Sequence, residues 1–183
     1  MIEVEAKAKI NSFEEIIEEL KKLNVEKNKT ETQTDIYFNS PIVDFAKTDE
    51  ALRIRKVNTD EKEELFITYK GPKIDKKSKT REEIEMKIED ENKCKKIFIN
   101  LGFTNVRTVK KTRDYYDLNE YSISLDNVEG LEPYMEIETI LEDGNDYKKA
   151  QENIFKIFEK LGIKKGFERT SYLELLENKD KNL

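Results

Sequence analysis

A strict two-residue alternation at the start of the chain sets the tightest limit on its fold. In Met1 to Ile10, Ile2, Val4, Ala6, Ala8 and Ile10 fall on one side, and Glu3, Glu5, Lys7 and Lys9 on the other. Side chains alternate across a β-strand with that period, so the segment reads as a strand with one apolar and one charged face. A lone strand of this kind would turn its charged face to solvent. Here the pattern returns on strand after strand, and a whole sheet with a charged face needs a different explanation.

Thr32 to Phe38 reads as the second strand, and Pro41 to Thr48 as a loop. Glu50 to Val57 sets Arg53 and Arg55 against Leu52 and Ile54, and Glu63 to Lys70 sets Leu65, Ile67 and Tyr69 opposite Glu64, Phe66, Thr68 and Lys70. Gly71-Pro72 stops that strand, and the lysine-rich Lys73 to Lys79 reads as a mobile, solvated loop. In Thr80 to Ile88, Arg81, Glu83, Glu85 and Lys87 alternate with Glu82, Ile84, Met86 and Ile88. Thr104 to Leu118 and Tyr121 to Val128 are joined by a tight turn, and Pro133 to Leu141 sets Met135 and Ile137 opposite Glu136 and Glu138.

Between the strands lie segments of helical period. Ser12 and Glu15 form a capping box for a helix over Ser12 to Leu23, with Phe13, Ile16, Ile17 and Leu20 on one stripe. Asp90 to Leu101 and Asp146 to Leu161 are further helices, stopped by Gly102 and Gly162. Ser171 and Glu174 cap a short fourth helix that holds Tyr172 as a packing residue, and Asn178 to Leu183 reads as a frayed tail. The expected architecture is α+β, a closed eight-stranded antiparallel barrel (a tunnel) whose apolar face points outward beneath about four helices, leaving a charged lumen. With 183 residues the chain makes one domain, residues 1–175, followed by a short C-terminal tail, 176–183.

Composition narrows the chemistry. The chain has no histidine and a single cysteine, Cys94. An internal disulfide, a thiolate cluster and histidine-bound zinc are therefore excluded, and a general base must be a carboxylate, a lysine, a tyrosine or a metal-activated water. A formal net charge of -6 disfavours nucleic acid as a partner. No apolar run has the length of a membrane span, and a reducing cytoplasm is the expected location.

Taking one face from each strand gathers Lys7, Arg53, Arg55, Lys70, Arg81, Lys111 and Arg113 with Glu3, Glu5, Glu83, Glu85, Asp126, Glu136 and Glu138. Burying one unpaired ion costs several kcal/mol, so such a lumen must hold water, salt pairs, metal ions or a charged ligand. Carboxylates two residues apart, as in Glu3 with Glu5 and Glu136 with Glu138, suit Mg²⁺ or Mn²⁺, and arginines suit phosphate oxygens. A triphosphate carried by two divalent cations would leave the charge balance undisturbed. The chain has no Walker-type loop or G-x-G-x-x-G, so side chains must do the gripping.

Glu3-Val4-Glu5-Ala6-Lys7 resembles the E-x-E-x-K opening of the CYTH superfamily, the triphosphate tunnel metalloenzymes that include class IV (CyaB-type) adenylyl cyclases and thiamine triphosphatases. The likeness continues through Asp35 to Phe38, Leu52 to Arg55, Tyr69 to Pro72, Arg81 to Glu83, Val109 to Arg113, Leu125 to Glu129 and Glu136 to Glu138. The resemblance implies a two-metal site of Mg²⁺ or Mn²⁺ held by Glu3, Glu5, Asp126, Glu136 and Glu138. It makes Lys7, Arg53, Arg55, Lys70, Arg81, Lys111 and Arg113 the triphosphate clamp, with Glu83 and Glu85 orienting the cations. Lys7, Glu136 and Arg113 are the expected catalytic residues, and a homodimer is the assembly the family suggests. The pattern around Asp35 to Phe38 and Val109 to Arg113 looks closest to the cyclase branch, which converts ATP to 3′,5′-cyclic AMP and pyrophosphate. A triphosphatase acting on tripolyphosphate, thiamine triphosphate or a nucleoside triphosphate is the alternative, and a non-catalytic triphosphate sensor the third reading.

Overall fold

The computed structural model describes residues 1–142 and 147–182. Eight strands run β1 (Ile2–Lys9), β2 (Lys27–Asn39), β3 (Ala51–Asn58), β4 (Glu63–Lys70), β5 (Arg81–Ile88), β6 (Thr104–Leu118), β7 (Tyr121–Val128) and β8 (Tyr134–Leu141). They close into an antiparallel barrel in the order β1-β5-β4-β3-β2-β6-β7-β8. Among the described residues five helices accompany it: α1 (Phe13–Lys22), α2 (Phe45–Thr48), α3 (Glu91–Asn100), α4 (Tyr147–Lys160) and α5 (Tyr172–Lys181).

The apolar faces of the strands point outward, as the alternation requires. Val4, Ala6 and Ala8 of β1 share a buried core with Ile123 and Leu125 of β7, Met135 and Ile137 of β8, Ile16 and Leu20 of α1, and Ile154 and Phe158 of α4. A second cluster joins Ile36, Phe38, Leu52 and Ile54 to Cys94, with Phe98 of α3 packed against it. Phe38 and Phe98 meet edge to face at 5.2 Å. A third cluster holds Val109, Val128 and Tyr134 against Tyr172 and Leu176 of α5. α1, α3 and α4 therefore form an outer layer. Val109, Val128 and Tyr134 instead share the inner face of Lys111, Asp126 and Glu136, so α5 packs against one end of the barrel interior and the rest of the middle is left to the charged faces.

Several details differ from the sequence expectation. β2 starts at Lys27 because the fifteen-residue β6 pairs with it from Lys27 to Asn39. Lys27-Asn28-Lys29-Thr30-Glu31 has no apolar alternation to announce this, and its extended form comes from the ladder itself. The expected loop at Pro41 to Thr48 contains the four-residue α2, whose N-cap Asp44 accepts from the Ala46 N–H. The capping box appears in full at α5, where Ser171 and Glu174 satisfy each other's backbone amides. That helix continues through Asn178, the expected start of a frayed tail, to Lys181, and Lys179 Nζ donates to the Gly130 carbonyl at 2.7 Å. Asp146 and Leu183, expected to begin the third helix and end the tail, lie outside the described residues.

The Lys73 to Lys79 segment departs furthest from expectation. Asp75 Oδ1 accepts from the Lys77 N–H at 2.6 Å, the Ser78 N–H at 3.0 Å and Gln151 Nε2 of α4 at 2.6 Å. Arg169 donates through Nη2 to the Asp75 carbonyl at 2.6 Å and through Nε to the Ser78 carbonyl at 3.1 Å. The strap thus fastened runs along β1, where the Lys79 N–H donates to the Glu5 carbonyl at 2.8 Å. Ser78, Lys79 and Thr80 are all buried, so the end of this segment is part of the barrel wall.

Candidate active site

The inward faces line a cavity of about 500 Å³ that contains Glu3, Glu5, Arg53, Arg55, Lys70, Arg81, Glu83, Glu85, Lys111, Arg113, Glu136 and Glu138. Twelve of the fourteen residues expected in the lumen therefore converge on one space. Lys7 and Asp126 are the two that do not line it.

Strand register decides which charges meet. Asp35 on β2 lies opposite Arg55 on β3, and the Arg55 fork donates through Nε and Nη2 to both Asp35 oxygens at 2.6 Å. Arg53 Nη1 stands 3.5 Å from the same carboxylate. Both arginines hold the Asp35 carboxyl well below the usual carboxylate range, overcoming its burial. Arg113 on β6 lies opposite Asp126 on β7, which accepts from Nε at 2.6 Å and Nη2 at 2.5 Å. Arg113 also bridges to Glu136. Lys70 Nζ sits between Glu3, at 2.6 Å, and Glu83, at 2.7 Å. Lys79 reaches from the strap to Glu5 and, at 3.0 Å, to Glu136.

Two charged groups stand outside this network. Among the described residues neither Glu138 nor Lys111 has a hydrogen bond or ion pair through its side-chain head. Burial, with Glu3 and Glu5 nearby, pushes the Glu138 carboxyl up to about 7. Burial, with Arg113 and Arg55 alongside, pushes the Lys111 ammonium down to about 7. Among the described residues the Nε atoms of Arg53 and Arg81 are also buried without a partner, and Arg81 Nη1 makes a 3.4 Å bond to the Gly71 carbonyl. A buried polar group left in this state is costly.

The unpaired carboxylate belongs to a cluster. Glu3, Glu5 and Glu138 each bring one oxygen to within 4.8 Å of the others. An all-oxygen, anionic donor set with room for water suits a hard divalent cation such as Mg²⁺ or Mn²⁺. Asp126, expected in this set, is placed elsewhere: it is completely buried, clasped by Arg113, and accepts from the Tyr172 hydroxyl at 2.6 Å. Glu136 adjoins the cluster through Lys79 but is not one of its three members.

Lys7 is likewise placed away from the main cavity. It is buried behind the strap, donates to the Thr170 carbonyl at 2.6 Å and lies 4.0 Å above the Tyr172 ring. Burial, together with the Lys79 ammonium, pushes its pKa down to about 7. The residues that sequence reasoning missed are Lys79, Asp35 and Tyr172. Lys79 and Asp35 add one charge of each sign, so the near-neutral balance survives. Tyr172 links Asp126 to the cavity wall, and its ring also faces Lys111 Nζ at 5.2 Å.

At one end the cavity is bordered by Tyr37, Phe45, Val106 and Leu173, apolar neighbours to an ionic interior. Fold and site together define a closed barrel whose interior cavity is lined by charged side chains of both signs. The chain belongs to the CYTH domain family, whose model matches residues 1–172. It is 49% identical over 176 residues to a protein named "Putative adenylate cyclase MJ0240" from Methanocaldococcus jannaschii, covering 96% of this chain and 98% of that one. The solved structure of the PH1819 protein from Pyrococcus horikoshii superposes with a TM-score of 0.90 at 46% identity, covering 97% and 99% of the two chains. The fold also matches HpAC1 from Hippeastrum, at 18% identity and a TM-score of 0.67 over 97% and 96%; that protein is described as an adenylyl cyclase candidate with a dominant triphosphatase activity.

Proposed function

We propose that this protein is a divalent-metal-dependent enzyme of triphosphate chemistry, and that its reaction is that of a class IV adenylyl cyclase. The observation that carries the reading is the pair of unsatisfied opposite charges in one lumen, Glu138 beside two further carboxylates and Lys111 among the arginines. A polyphosphate carrying divalent cations supplies both missing partners at once. A neutral metabolite supplies neither.

In this reading Glu3, Glu5 and Glu138 hold the cation, with Glu136 available beside them once Lys79 withdraws. The bound cation would neutralise phosphate oxygens and support charge that builds up during phosphoryl transfer. Arg53, Arg81, Lys111 and Arg113 face the phosphate chain, and Asp35 and Asp126 fix the planes of Arg55 and Arg113. Lys7, turned toward Thr170, ties β1 to the segment leading into α5 and acts as a positioning residue. The apolar border of Tyr37, Phe45, Val106 and Leu173 offers a nucleobase a surface that inorganic tripolyphosphate would not use. With ATP held so, the ribose 3′-hydroxyl oxygen forms a bond to the α-phosphorus and gives its proton to a lumen carboxylate or to water, while the bond from the α-phosphorus to the α–β bridging oxygen breaks and pyrophosphate leaves.

Hydrolysis of the terminal phosphate is the second reading, because the same lumen holds the same triphosphate and water can enter it. The description of HpAC1 is the reason to test it, although that likeness extends to the fold alone. Incubation with ATP and then with tripolyphosphate, each with Mg²⁺ or Mn²⁺, separates the possibilities. Cyclic AMP with pyrophosphate supports the cyclase, and orthophosphate release replaces it with a triphosphatase. Tight binding without turnover replaces both with a sensor. Absence of binding to either compound overturns the triphosphate reading altogether.

A further inference from the structure

The lumen reaches solvent at a second place besides its apolar border. β1 pairs with β5 only at Ile2 with Glu82 and at Glu3 with Arg81. The Glu83 N–H adds a bond to the Met1 carbonyl at 3.2 Å. Further along β1 the edge is covered, because the Glu5 and Lys7 carbonyls accept from the Lys79 and Glu168 N–H groups at 2.8 and 2.9 Å. From Ile84 to Ile88, however, β5 pairs with β4 alone among the described residues. Two cavity-lining residues on the strands that flank β1 are open to water: Glu85 of β5 is exposed, and Ile140 of β8 is 50% exposed. By contrast Thr68, the β4 partner of Glu85, is completely buried. In the barrel order β2 stands four strands from β1 in either direction, so the border at Tyr37 of β2 and the gap beside β1 lie on opposite sides.

The two openings differ in chemistry. Tyr37, Phe45, Val106 and Leu173 make the first one apolar. The second is acidic. Glu85 accepts from Thr68 Oγ1 at 2.8 Å through one oxygen, and its other oxygen has no partner among the described residues. Ile140 pairs with Glu3 and stands two residues from Glu138, and both of those carboxylates belong to the candidate cation cluster. The lysines of β4 and β5 do not offset this charge. Lys70 Nζ is held between Glu3 and Glu83, and Lys87 Nζ donates to Glu64 at 2.8 Å. Building on the metal reading above, we propose that this seam is the passage by which divalent cations reach and leave Glu3, Glu5 and Glu138, while the triphosphate uses the apolar-bordered opening. Carboxylates at a narrow mouth concentrate a dication and repel phosphate, so charge sorts the two kinds of traffic. A cation can then exchange while a polyphosphate occupies the lumen.

Mn²⁺ alone is the probe. Its release is timed by mixing Mn²⁺-loaded protein with a fluorescent chelator, its Kd comes from titration calorimetry, and the association rate follows from the two. Ile140→Trp narrows the seam and should slow release and association together by about tenfold, a barrier raised by ~1.4 kcal/mol, with Kd unchanged and circular dichroism as the folding control. Val106→Trp narrows the apolar border instead and should leave both rates as in the wild type. Glu85→Gln adds no bulk: association at low salt should fall about fivefold and lose much of its salt dependence, with release unchanged. Release that is unchanged in Ile140→Trp, or slowed in Val106→Trp, overturns the passage and leaves the metal reading in place. So does an Ile140→Trp protein with an altered Kd and unaltered release, because Ile140 would then belong to the site itself. An association rate for Glu85→Gln equal to that of the wild type also overturns the passage. Failure of the wild type to bind Mn²⁺ removes the metal reading, and the passage with it.

Discussion

Replacing Lys111 with methionine should make the protein more stable and less able to bind its substrate. The ammonium is buried among arginines and has no ion pair among the described residues, and its pKa falls from 10.5 to about 7. At about 1.4 kcal/mol per pH unit, that fall corresponds to a liability on the order of 5 kcal/mol in the fully protonated state. Lumen water relaxes part of it, so a gain of ~2 kcal/mol or more is expected for Lys111→Met in a urea titration near pH 6.5. The pH dependence follows from the sign of the shift. A lysine whose folded pKa is depressed carries its full cost below about 7 and loses that cost as pH rises toward 10.5. Wild type should therefore close the gap on the methionine variant across that window. Isothermal titration with tripolyphosphate should show the opposite ranking: at least ~10-fold weaker binding by the variant, and wild-type affinity that falls as pH passes 7. A variant less stable than wild type at pH 6.5, with tripolyphosphate affinity intact, would refute the assignment of Lys111 as an anion-seeking group.

The remaining expectations concern the carboxylates. Glu136→Gln strips a shared partner from Arg113 and Lys79. It should abolish turnover while costing only ~1–2 kcal/mol of stability, measured by denaturant titration, because Arg113 keeps Asp126 and Lys79 keeps Glu5 as partners. Retained turnover would remove Glu136 from the site. Mn²⁺ at a hundred times its Kd should stabilise the wild type by about 2.7 kcal/mol, which at this size raises the melting midpoint by about 5–10 °C. Glu138→Gln should erase that rise, and a rise of the same size in the variant would place the cation elsewhere.

Alternation made the inner face legible, because period two specifies which side of a strand each residue occupies. It carries no information about which residue on the neighbouring strand stands opposite. Asp126 is the consequence: its face follows from Leu125 to Val128, but its pairing with Arg113 depends on the β6–β7 register. Nothing local distinguishes a carboxylate that holds an arginine from one that holds a metal. Lys79 was hidden for another reason. The composition of Lys73 to Lys79 is that of a solvated loop, and the residues that fasten it, Gln151 and Arg169, are more than seventy positions away. Tyr172 sits in a capping-box helix, where an aromatic residue ordinarily packs, and its hydroxyl becomes polar machinery only because α5 meets the inner face of the barrel, where Asp126 stands.

Lys79 also shows how the lumen keeps its charges tolerable before a ligand arrives. Its ammonium lies across Glu5 and Glu136, and those two carboxylates hold its pKa above the usual lysine range despite its burial. A cation entering the Glu3, Glu5 and Glu138 cluster must compete with that ammonium for Glu5, and the displaced lysine remains within reach of whatever the cation carries. Metal and phosphate affinity should therefore respond in opposite directions to its loss. Lys79→Met leaves Glu5 without its counter-ion and should tighten Mn²⁺ binding in the absence of phosphate, read by titration calorimetry. The same variant should weaken tripolyphosphate binding in the presence of Mn²⁺, because one positive charge has left the wall. If both affinities fell together, Lys79 would be holding the carboxylates in place for the metal, and the competition inferred from the geometry would be wrong.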